Sequence, residues 1–222
     1  MAAFATSSKS RLTEHDLGRF TGQTLFDRVA RHVCHAGCLP RKELFETWEM
    51  ARRVRRRFRG GRVIDVAGGH GLLALLLLVL DDSSPSAVVV DPVVPPSRDR
   101  LHEAILTGWS RLQGRVTYTP DDLEFVPVAP ADLVVSAHAC GALTDRVLRR
   151  AVAARARVAV LPCCHDLDAA DTGGLDGWVD GPLAVDVVRA LRLRDAGYEV
   201  WTQTIPATIT PKNRLLLGRP LD

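Results

Sequence analysis

Apolar residues recur with helical spacing in two stretches near the start of the chain. Over residues 24–33 they fall at every third or fourth position, and Gly37 follows as a helix terminator. The same spacing continues from Leu44 to Phe58 and predicts a second amphipathic helix over 41–59, which a pair of glycines ends. We therefore predict a helical N-terminal extension over residues 1–60.

From residue 61 onwards, short apolar runs alternate with helical patterns. Seven runs rich in Val, Ile and Leu predict strands, over 62–66, 87–91, 115–119, 132–136, 157–161, 198–205 and 214–218. The loop before the last run is too short for the crossover that a parallel return needs, so strand seven should be antiparallel. The pattern predicts an α/β fold: a Rossmann-like, seven-stranded, mostly parallel sheet with helices on both faces.

The most informative stretch is a strand followed by a glycine-rich turn and an apolar helix. Residues 62–66 lead into Gly68, Gly69 and Gly71, and the apolar run 72–80 follows. Glycines allow positive φ and close approach of a ligand, and a helix start offers free N–H groups. Asp91 comes twenty positions after Gly71, where a carboxylate can accept hydrogen bonds from a ribose. These features predict a nucleoside-cofactor site.

Two kinds of cofactor suit this turn. Residues 69–74 fit the dinucleotide pattern G-x-G-x-x-G/A, which leaves an NAD-dependent oxidoreductase open. The turn also resembles motif I of the class I S-adenosylmethionine-dependent methyltransferases, D/E-x-G-x-G-x-G. Asp65, Gly69 and Gly71 match that motif, and Ala67 replaces its first glycine, which is acceptable if φ stays negative there. The predicted antiparallel seventh strand also resembles the topology of this family. The resemblance therefore implies a methyltransferase domain over 61–222.

The resemblance also implies which residues hold S-adenosylmethionine. An acidic residue after the third strand meets the adenine in this family, and Asp122 with Leu123 stands at that position, although Pro-Asp-Asp is also good turn chemistry. The cofactor contacts that we predict are Asp65, Ala67, Gly68, Gly69, Gly71, Asp91, Asp122, Leu123 and Ser136.

A second group of reactive side chains follows strands four and five. Ser136, His138, Cys140 and Gly141 form S-x-H-x-C-G after the fourth strand, and Cys-Cys-His follows the fifth at 163–165. Carboxyl ends of neighbouring parallel strands meet at one edge of a sheet, so these side chains should share a pocket. The two motifs resemble those of a methyltransferase group that includes the eukaryotic tRNA acceptor-stem 2′-O-methyltransferases. The methyltransferase domain of the glutathione S-transferase C-terminal-domain-containing protein belongs to the same group.

Several mechanisms are open for this group of residues. His138 or His165 could be the base for a hydroxyl acceptor, since an imidazole titrates near neutral pH. Cys163 or Cys164 could instead attack a cytosine ring covalently. A divalent metal held by His138, Cys140, Cys164 and His165 is a third reading, although adjacent strand ends do not guarantee tetrahedral geometry. We predict His138, Cys164 and His165 as catalytic residues without a metal.

The distribution of charge says more than its total. The chain has 29 Lys and Arg against 26 Asp and Glu, a net charge of +3, which alone says little about partners. Lys212 and Arg214, near the last loop, are predicted to hold the substrate. The end of the second helix is strongly basic, and we predict contact with RNA there against the alternative of a solvated helix face, through Arg52, Arg53, Arg55, Arg56, Arg57, Arg59 and Arg62.

The remaining expectations concern compartment and function class. Five cysteines without framework spacing and no visible secretory signal predict a soluble, cytoplasmic protein with reduced thiols and no membrane contact. The predicted function is S-adenosylmethionine-dependent methylation of RNA or another nucleic acid. A cofactor-binding protein that works as a non-catalytic interaction module is the alternative from another class.

Overall fold

The computed structural model describes residues 4–221 and contains one seven-stranded sheet. The strands are β1 (Val63–Val66), β2 (Ala87–Val90), β3 (Val116–Thr119), β4 (Leu133–Ser136), β5 (Arg157–Val160), β6 (Tyr198–Thr204) and β7 (Arg214–Pro220). Their order in the sheet is β3-β2-β1-β4-β5-β7-β6. Strand β7 lies antiparallel between β5 and β6, whereas β1 to β5 pair in parallel. The predicted sheet and its antiparallel seventh strand are confirmed.

Helices cover both faces of this sheet. They are α1 (Leu25–Ala36), α2 (Arg41–Arg57), α3 (Leu72–Leu80), α4 (Arg98–Gly108), α5 (Ala142–Ala153) and α6 (Gly181–Asp195). Alternate residues of a strand point to opposite faces. On β1, Val63 packs with the core under α1 to α4, whereas Ile64 packs with the core under α5 and α6.

The N-terminal helices are part of the same core as the sheet. Helix α2 packs along α3, and α1 packs against α4. Buried side chains from Leu12 to Phe58 form one continuous cluster with residues of β1, β2, β4 and β5. The predicted extension over 1–60 therefore completes one face of the sheet and has no core of its own.

Helix α3 explains why the apolar run after the glycine turn does not indicate a membrane segment. Its residues from Leu72 to Val79 are all buried, because the helix lies between the sheet and α2. Across residues 4–221, none of the helices has the length and apolar character that a bilayer crossing requires.

The arginines at the end of α2 are largely engaged in holding the fold. Arg55 is 3% exposed; it donates to the Leu77 carbonyl at 3.0 Å and to the Ser84 hydroxyl at 2.8 Å, and pairs with Asp81 at 3.2 Å. Burial alone would raise the pKa of Asp81, but its hydrogen bonds and the Arg55 charge lower it to about 2. Five other arginines also have partners: Arg52 and Arg53 pair with Glu49, Arg57 stacks on Trp201, Arg59 pairs with Asp81, and Arg62 pairs with Asp132.

Candidate active site

The glycine turn lies at the carboxyl end of β1, in the centre of the sheet. Three of its residues have left-handed backbones, namely Ala67 (φ 53°), Gly69 (φ 51°) and Gly71 (φ 76°). The expectation of a negative φ at Ala67 was therefore wrong. The chain adopts the turn that the glycine motif specifies and places an alanine where that geometry costs about 1–2 kcal/mol.

Asp91 holds this turn from the end of β2. Its Oδ2 accepts the Gly69 N–H at 2.9 Å, and its Oδ1 accepts the Val93 N–H at 2.9 Å. An ionised carboxylate has about four acceptor positions, so two remain for the hydroxyls of a ribose. Asp91 thus lies where the sequence predicts a ribose-binding acid, and it also fixes the backbone of the turn.

Asp65 lies beneath the turn and is fully buried. Its Oδ2 accepts the Ala74 N–H at 3.1 Å, whereas its Oδ1 is buried without a partner. Burial raises the pKa of Asp65 to about 7, because an isolated carboxylate loses its hydration there. The turn leaves no room above this group, since a Cβ on Gly68 would lie 2.9 Å from the Asp65 carboxyl carbon.

A small pocket extends from Asp65 to the first turns of α2. Glu43 and Thr47 of α2 line it together with Asp65, Gly68 and His138. Burial, followed by the charge of Glu46, raises the pKa of Glu43 to about 7. The sequence reasoning assigned no site residue to α2. The available signal was a carboxylate placed next to Leu44, within the buried stripe of an amphipathic helix.

These residues fit S-adenosylmethionine. Its methionine part carries an ammonium group, for which two desolvated carboxyls, one with an unpartnered oxygen, are suitable partners. Asp91 has acceptor positions left for the ribose, and Gly68 and Gly71 allow the turn to pack closely against Val89 of β2. A Cβ on Gly71 would meet the Tyr118 hydroxyl at 2.8 Å, so this position also needs glycine.

Three other predicted cofactor residues have structural partners. Asp122 accepts the Glu124 N–H at 3.1 Å and pairs with Arg146, and these contacts lower its pKa. Leu123 is buried in the core below β3. Ser136 is fully buried, and its hydroxyl donates to the Val66 carbonyl at 2.6 Å, which ties β4 to β1. Contact between these residues and the adenosine stays a prediction.

The reactive residues after β4 and β5 separate into two groups. Cys140, Cys163 and Cys164 converge, with their sulfur atoms all within 4.8 Å of one another. His165 points elsewhere: its side chain is 5% exposed and its Nε2 donates to Asp186 at 2.8 Å. Because a base must reach the acceptor, this position argues against the predicted catalytic role of His165.

The two predicted substrate residues also differ. Arg214 pairs with Asp186 at 2.7 Å, so its charge is already neutralised inside the His165 network. Lys212 is exposed and its Nζ donates to the Cys164 sulfur at 3.4 Å. Hydrogen bonding from Cys140 lowers the pKa of Cys164, and Lys212 adds to this effect. Lys212 and Cys164 are therefore in direct contact at the carboxyl end of β5.

His138 faces the pocket from the loop after β4. Water reaches its ring, yet protein atoms surround it in a concave site, and this desolvation lowers its pKa. The charges of Glu46, Lys42 and Asp91 lie close enough to act on it. A neutral imidazole at physiological pH is the form that can accept a proton.

Comparison with known proteins gives a consistent result. A family described as a methyltransferase domain matches residues 43–169. The glutathione S-transferase C-terminal domain-containing protein homolog of Drosophila melanogaster is 27% identical to this chain. The match covers 72% of this chain and 33% of that protein. A homolog of the same description in Drosophila pseudoobscura pseudoobscura is also 27% identical, so the chain spans about a third of the length of the curated relatives it matches.

Solved structures share the fold at low sequence identity. An O-methyltransferase family protein from Burkholderia thailandensis superposes with a TM-score of 0.51 at 20% identity, covering 94% of this chain and 63% of that one. The S-adenosylmethionine-dependent methyltransferase SibL also gives 0.51, at 21% identity over 95% of this chain and 66% of its own. The mitomycin 7-O-methyltransferase MmcR gives 0.51, at 18% identity over 92% and 60%.

Proposed function

The chain belongs to the methyltransferase domain family, and we propose that it transfers a methyl group from S-adenosylmethionine to RNA. The observation that carries the proposal is the position of the cofactor pocket, which lies between exposed cations and a neutral histidine. An acceptor that is a hydroxyl on a chain of phosphates suits both features. The fold and family support methyl transfer, and the charges around the pocket support RNA.

Two exposed arginines near the glycine turn supply positive charge on one side of the pocket. Arg11 and Arg100 both act on His70, whose pKa is lowered first by burial and then by these two charges. Neither arginine forms an ion pair with any residue between 4 and 221. We call Arg11 and Arg100 the rim arginines, and we propose that they contact the phosphates of the acceptor.

Each residue of the pocket has a separate role in the proposed reaction. S-adenosylmethionine, when bound, supplies an electrophilic methyl group. Asp65 and Glu43 hold its ammonium end, and Asp91 holds its ribose, so that the acceptor oxygen can approach in line. His138, neutral at physiological pH, accepts the proton of the acceptor hydroxyl.

Contact between RNA and the arginines of α2 is a separate proposal, because those arginines lie at the amino ends of the strands and the pocket lies at the carboxyl ends. Arg56 is thirteen residues after Glu43 on the same helix, which places it about 20 Å away along the helix axis. Arg56, Arg57 and Arg59 are exposed there. An acceptor that reached both surfaces would need to extend along one face of the protein.

The test is methyl transfer from labelled S-adenosylmethionine to total cellular RNA, with DNA and protein as parallel acceptors. We expect label that resists protease and is released by ribonuclease. Label in protein, or no label although S-adenosylhomocysteine binds, would contradict the proposal; the second result would favour a non-catalytic interaction module. Titration with NAD in parallel checks the oxidoreductase alternative.

Matched charge reversals decide which surface holds the RNA. The variant Arg11→Glu/Arg100→Glu should weaken RNA binding and lower the slope of log affinity against log salt by about 2, one for each lost phosphate contact. Arg56→Glu/Arg57→Glu carries the same change of charge at the end of α2 and leaves the ion pairs of Asp81 intact. An effect of the second pair alone would move the RNA to α2 and refute the assignment to the rim arginines.

His138 has its own test. His138→Gln should lower kcat and leave S-adenosylhomocysteine affinity unchanged, since the side chain acts on the acceptor proton. General base catalysis typically contributes about 10²–10⁴-fold to a rate. An unchanged kcat would show that the acceptor needs no base from this loop.

A further inference from the structure

Three thiols from two separate loops meet at the carboxyl ends of β4 and β5. The Cys140 and Cys163 sulfur atoms are 2.8 Å apart, and all three sulfur atoms lie within 4.8 Å of one another. Cys140 and Cys164 are exposed and Cys163 is partly buried. We call Cys140, Cys163 and Cys164 the thiol cluster.

The fold brings these residues together in a defined way. Strands β4 and β5 are parallel neighbours, so their following loops leave the sheet side by side. The Gly141 N–H donates to the Cys164 carbonyl at 3.1 Å, which fastens one loop to the other. Gly141 has a positive φ of 56°, which allows the chain to turn directly into α5 after Cys140.

The distances suit a thiophilic metal ion. With Zn–S bonds of about 2.3 Å, the sulfur atoms of a tetrahedral site lie about 3.8 Å apart. The Cys140–Cys163 distance of 2.8 Å is shorter than this value, and every sulfur–sulfur distance is at most 4.8 Å. The exposed Cys140 side chain can rotate away from Cys163 to reach about 3.8 Å. Zn²⁺ prefers sulfur and nitrogen ligands, and it deprotonates the thiols that bind it.

The charge around the cluster is also appropriate. Three thiolates and one Zn²⁺ carry a net charge of −1. The Lys212 ammonium, 3.4 Å from the Cys164 sulfur, would neutralise that charge and donate a hydrogen bond to a metal-bound sulfur. The three thiols are the only group of three or more His, Cys, Asp and Glu side chains within residues 4–221 that converge closely enough to hold an ion.

We propose that Cys140, Cys163 and Cys164 bind one Zn²⁺ ion, with the fourth coordination position open towards solvent. The sequence suggested another ligand set, His138, Cys140, Cys164 and His165, for which we favoured no metal. In the structure His165 is held by Asp186, and the converging group contains Cys163 and neither histidine. An open position is typical of zinc sites that take part in catalysis, whereas structural sites have four protein ligands. The proposal does not depend on RNA as the acceptor.

The first experiment measures zinc in the full chain. Protein purified under a non-thiol reductant, loaded with Zn²⁺ and dialysed, should contain one zinc per chain by mass spectrometry of the metal. Cys140→Ser, Cys163→Ser and Cys164→Ser should each weaken Zn²⁺ affinity by at least about tenfold, and Lys212→Met should weaken it by about tenfold. Cys34→Ala and Cys38→Ala are the matched controls, because both thiols are buried among the N-terminal helices and should leave zinc binding unchanged.

A second measurement needs no variant and so does not depend on the folding of mutants. Titration of the unmodified chain with Co²⁺ should give sulfur-to-metal charge-transfer bands and the visible spectrum of a tetrahedral ion. The visible bands should shift when imidazole is added, since it would occupy the open position. A reduced chain that binds neither ion overturns the proposal, as does equal zinc content in the control and cluster variants. Unchanged visible bands with imidazole would show a closed site and overturn the open position.

Discussion

Replacing Asp65 with asparagine should make the protein without cofactor more stable and bind the cofactor more weakly. The carboxyl is fully buried, with one oxygen bonded to the Ala74 N–H and the other unpartnered. Asparagine has nearly the same shape and keeps the acceptor for Ala74, but it carries no charge at any pH. Asp65→Asn therefore tests whether this site stores a desolvated negative charge for a cationic ligand.

The magnitude follows from the raised pKa. The difference between the ordinary value of 3.8 and about 7 in the folded protein corresponds to about 4 kcal/mol of destabilisation once the group is ionised. The amide N–H₂ group that Asp65→Asn introduces would face the same unpartnered position, at a cost of about 1–3 kcal/mol. The net gain expected for the apo protein at pH 8 is therefore about 1–3 kcal/mol.

The sign of the pH dependence is fixed by the same argument. The folded protein holds the Asp65 proton more tightly than the unfolded chain, so this group stabilises the fold at low pH and loses that contribution as pH rises through about 7. Urea unfolding from pH 5 to pH 8 should show a stability gap between Asp65→Asn and the unmodified protein that widens with pH. Comparing the two proteins isolates the contribution of Asp65 together with its interaction with Glu43, whose charge raises the pKa of Asp65.

The cofactor affinity should change in the opposite direction. A hydrogen bond to a charged partner contributes about 1.5–3 kcal/mol, so calorimetry at pH 8 should show S-adenosylhomocysteine bound roughly 10–100-fold more weakly by Asp65→Asn. The difference should shrink at pH 6, where Asp65 is mostly protonated. Asp168→Asn, at an exposed loop carboxylate, is the control. An apo variant less stable than the unmodified protein at pH 8, or a gap independent of pH, would refute the reasoning.

Five other substitutions test the turn and the end of α2. Ala67→Gly removes about 1–2 kcal/mol of left-handed strain and adds about 0.5–1 kcal/mol of chain freedom, so urea unfolding should show equal or slightly higher stability. Gly68→Ala should abolish S-adenosylhomocysteine binding in calorimetry, because its Cβ would lie 2.7 Å from a β2 side chain; Gly69→Ala has open space and should cost only strain. Asp91→Ala should weaken the same binding by about 1–3 kcal/mol, and unchanged affinity would place the ribose elsewhere. Arg55→Met removes the buried ion-pair partner of Asp81 and leaves it the exposed Arg59 at 3.8 Å, so thermal unfolding should show a loss near the lower end of the roughly 3–5 kcal/mol typical of a broken buried pair.

The sequence predicts those parts of the molecule that depend on neighbours along the chain. The strands, the glycine turn and Asp91 follow from local patterns, because alternating burial and positive φ act within a few residues. The order of the motifs then identifies the family, and the comparisons confirm the fold and the methyltransferase domain. Ala67 is the exception: one residue cannot show whether its φ is positive, and the turn imposes that angle on it.

Contacts between distant segments could not be predicted in this way. Glu43 looks like any polar residue of an amphipathic helix until α2 packs beside the glycine turn. His165 and Cys163 are two residues apart, yet the strand end sends one towards Asp186 and the other towards Cys140. The sequence shows that these side chains lie at one edge of the sheet, and only the packing decides which of them meet.

Helix α2 runs from the carboxyl ends of the parallel strands to their amino ends, and its two ends have different roles. At its start, Glu43 joins Asp65 in a pocket where burial raises the pKa of both carboxyls, and we propose that this pocket receives the cationic group of the cofactor. At its end, Arg55 is buried beside Asp81, and both of these charges are paired within the fold. Buried charges that are already paired secure the packing, whereas a buried charge without a partner stores free energy for a ligand. By this argument we place the proposed methyl transfer at the Glu43 end of α2, even though the other end of the helix has more arginines.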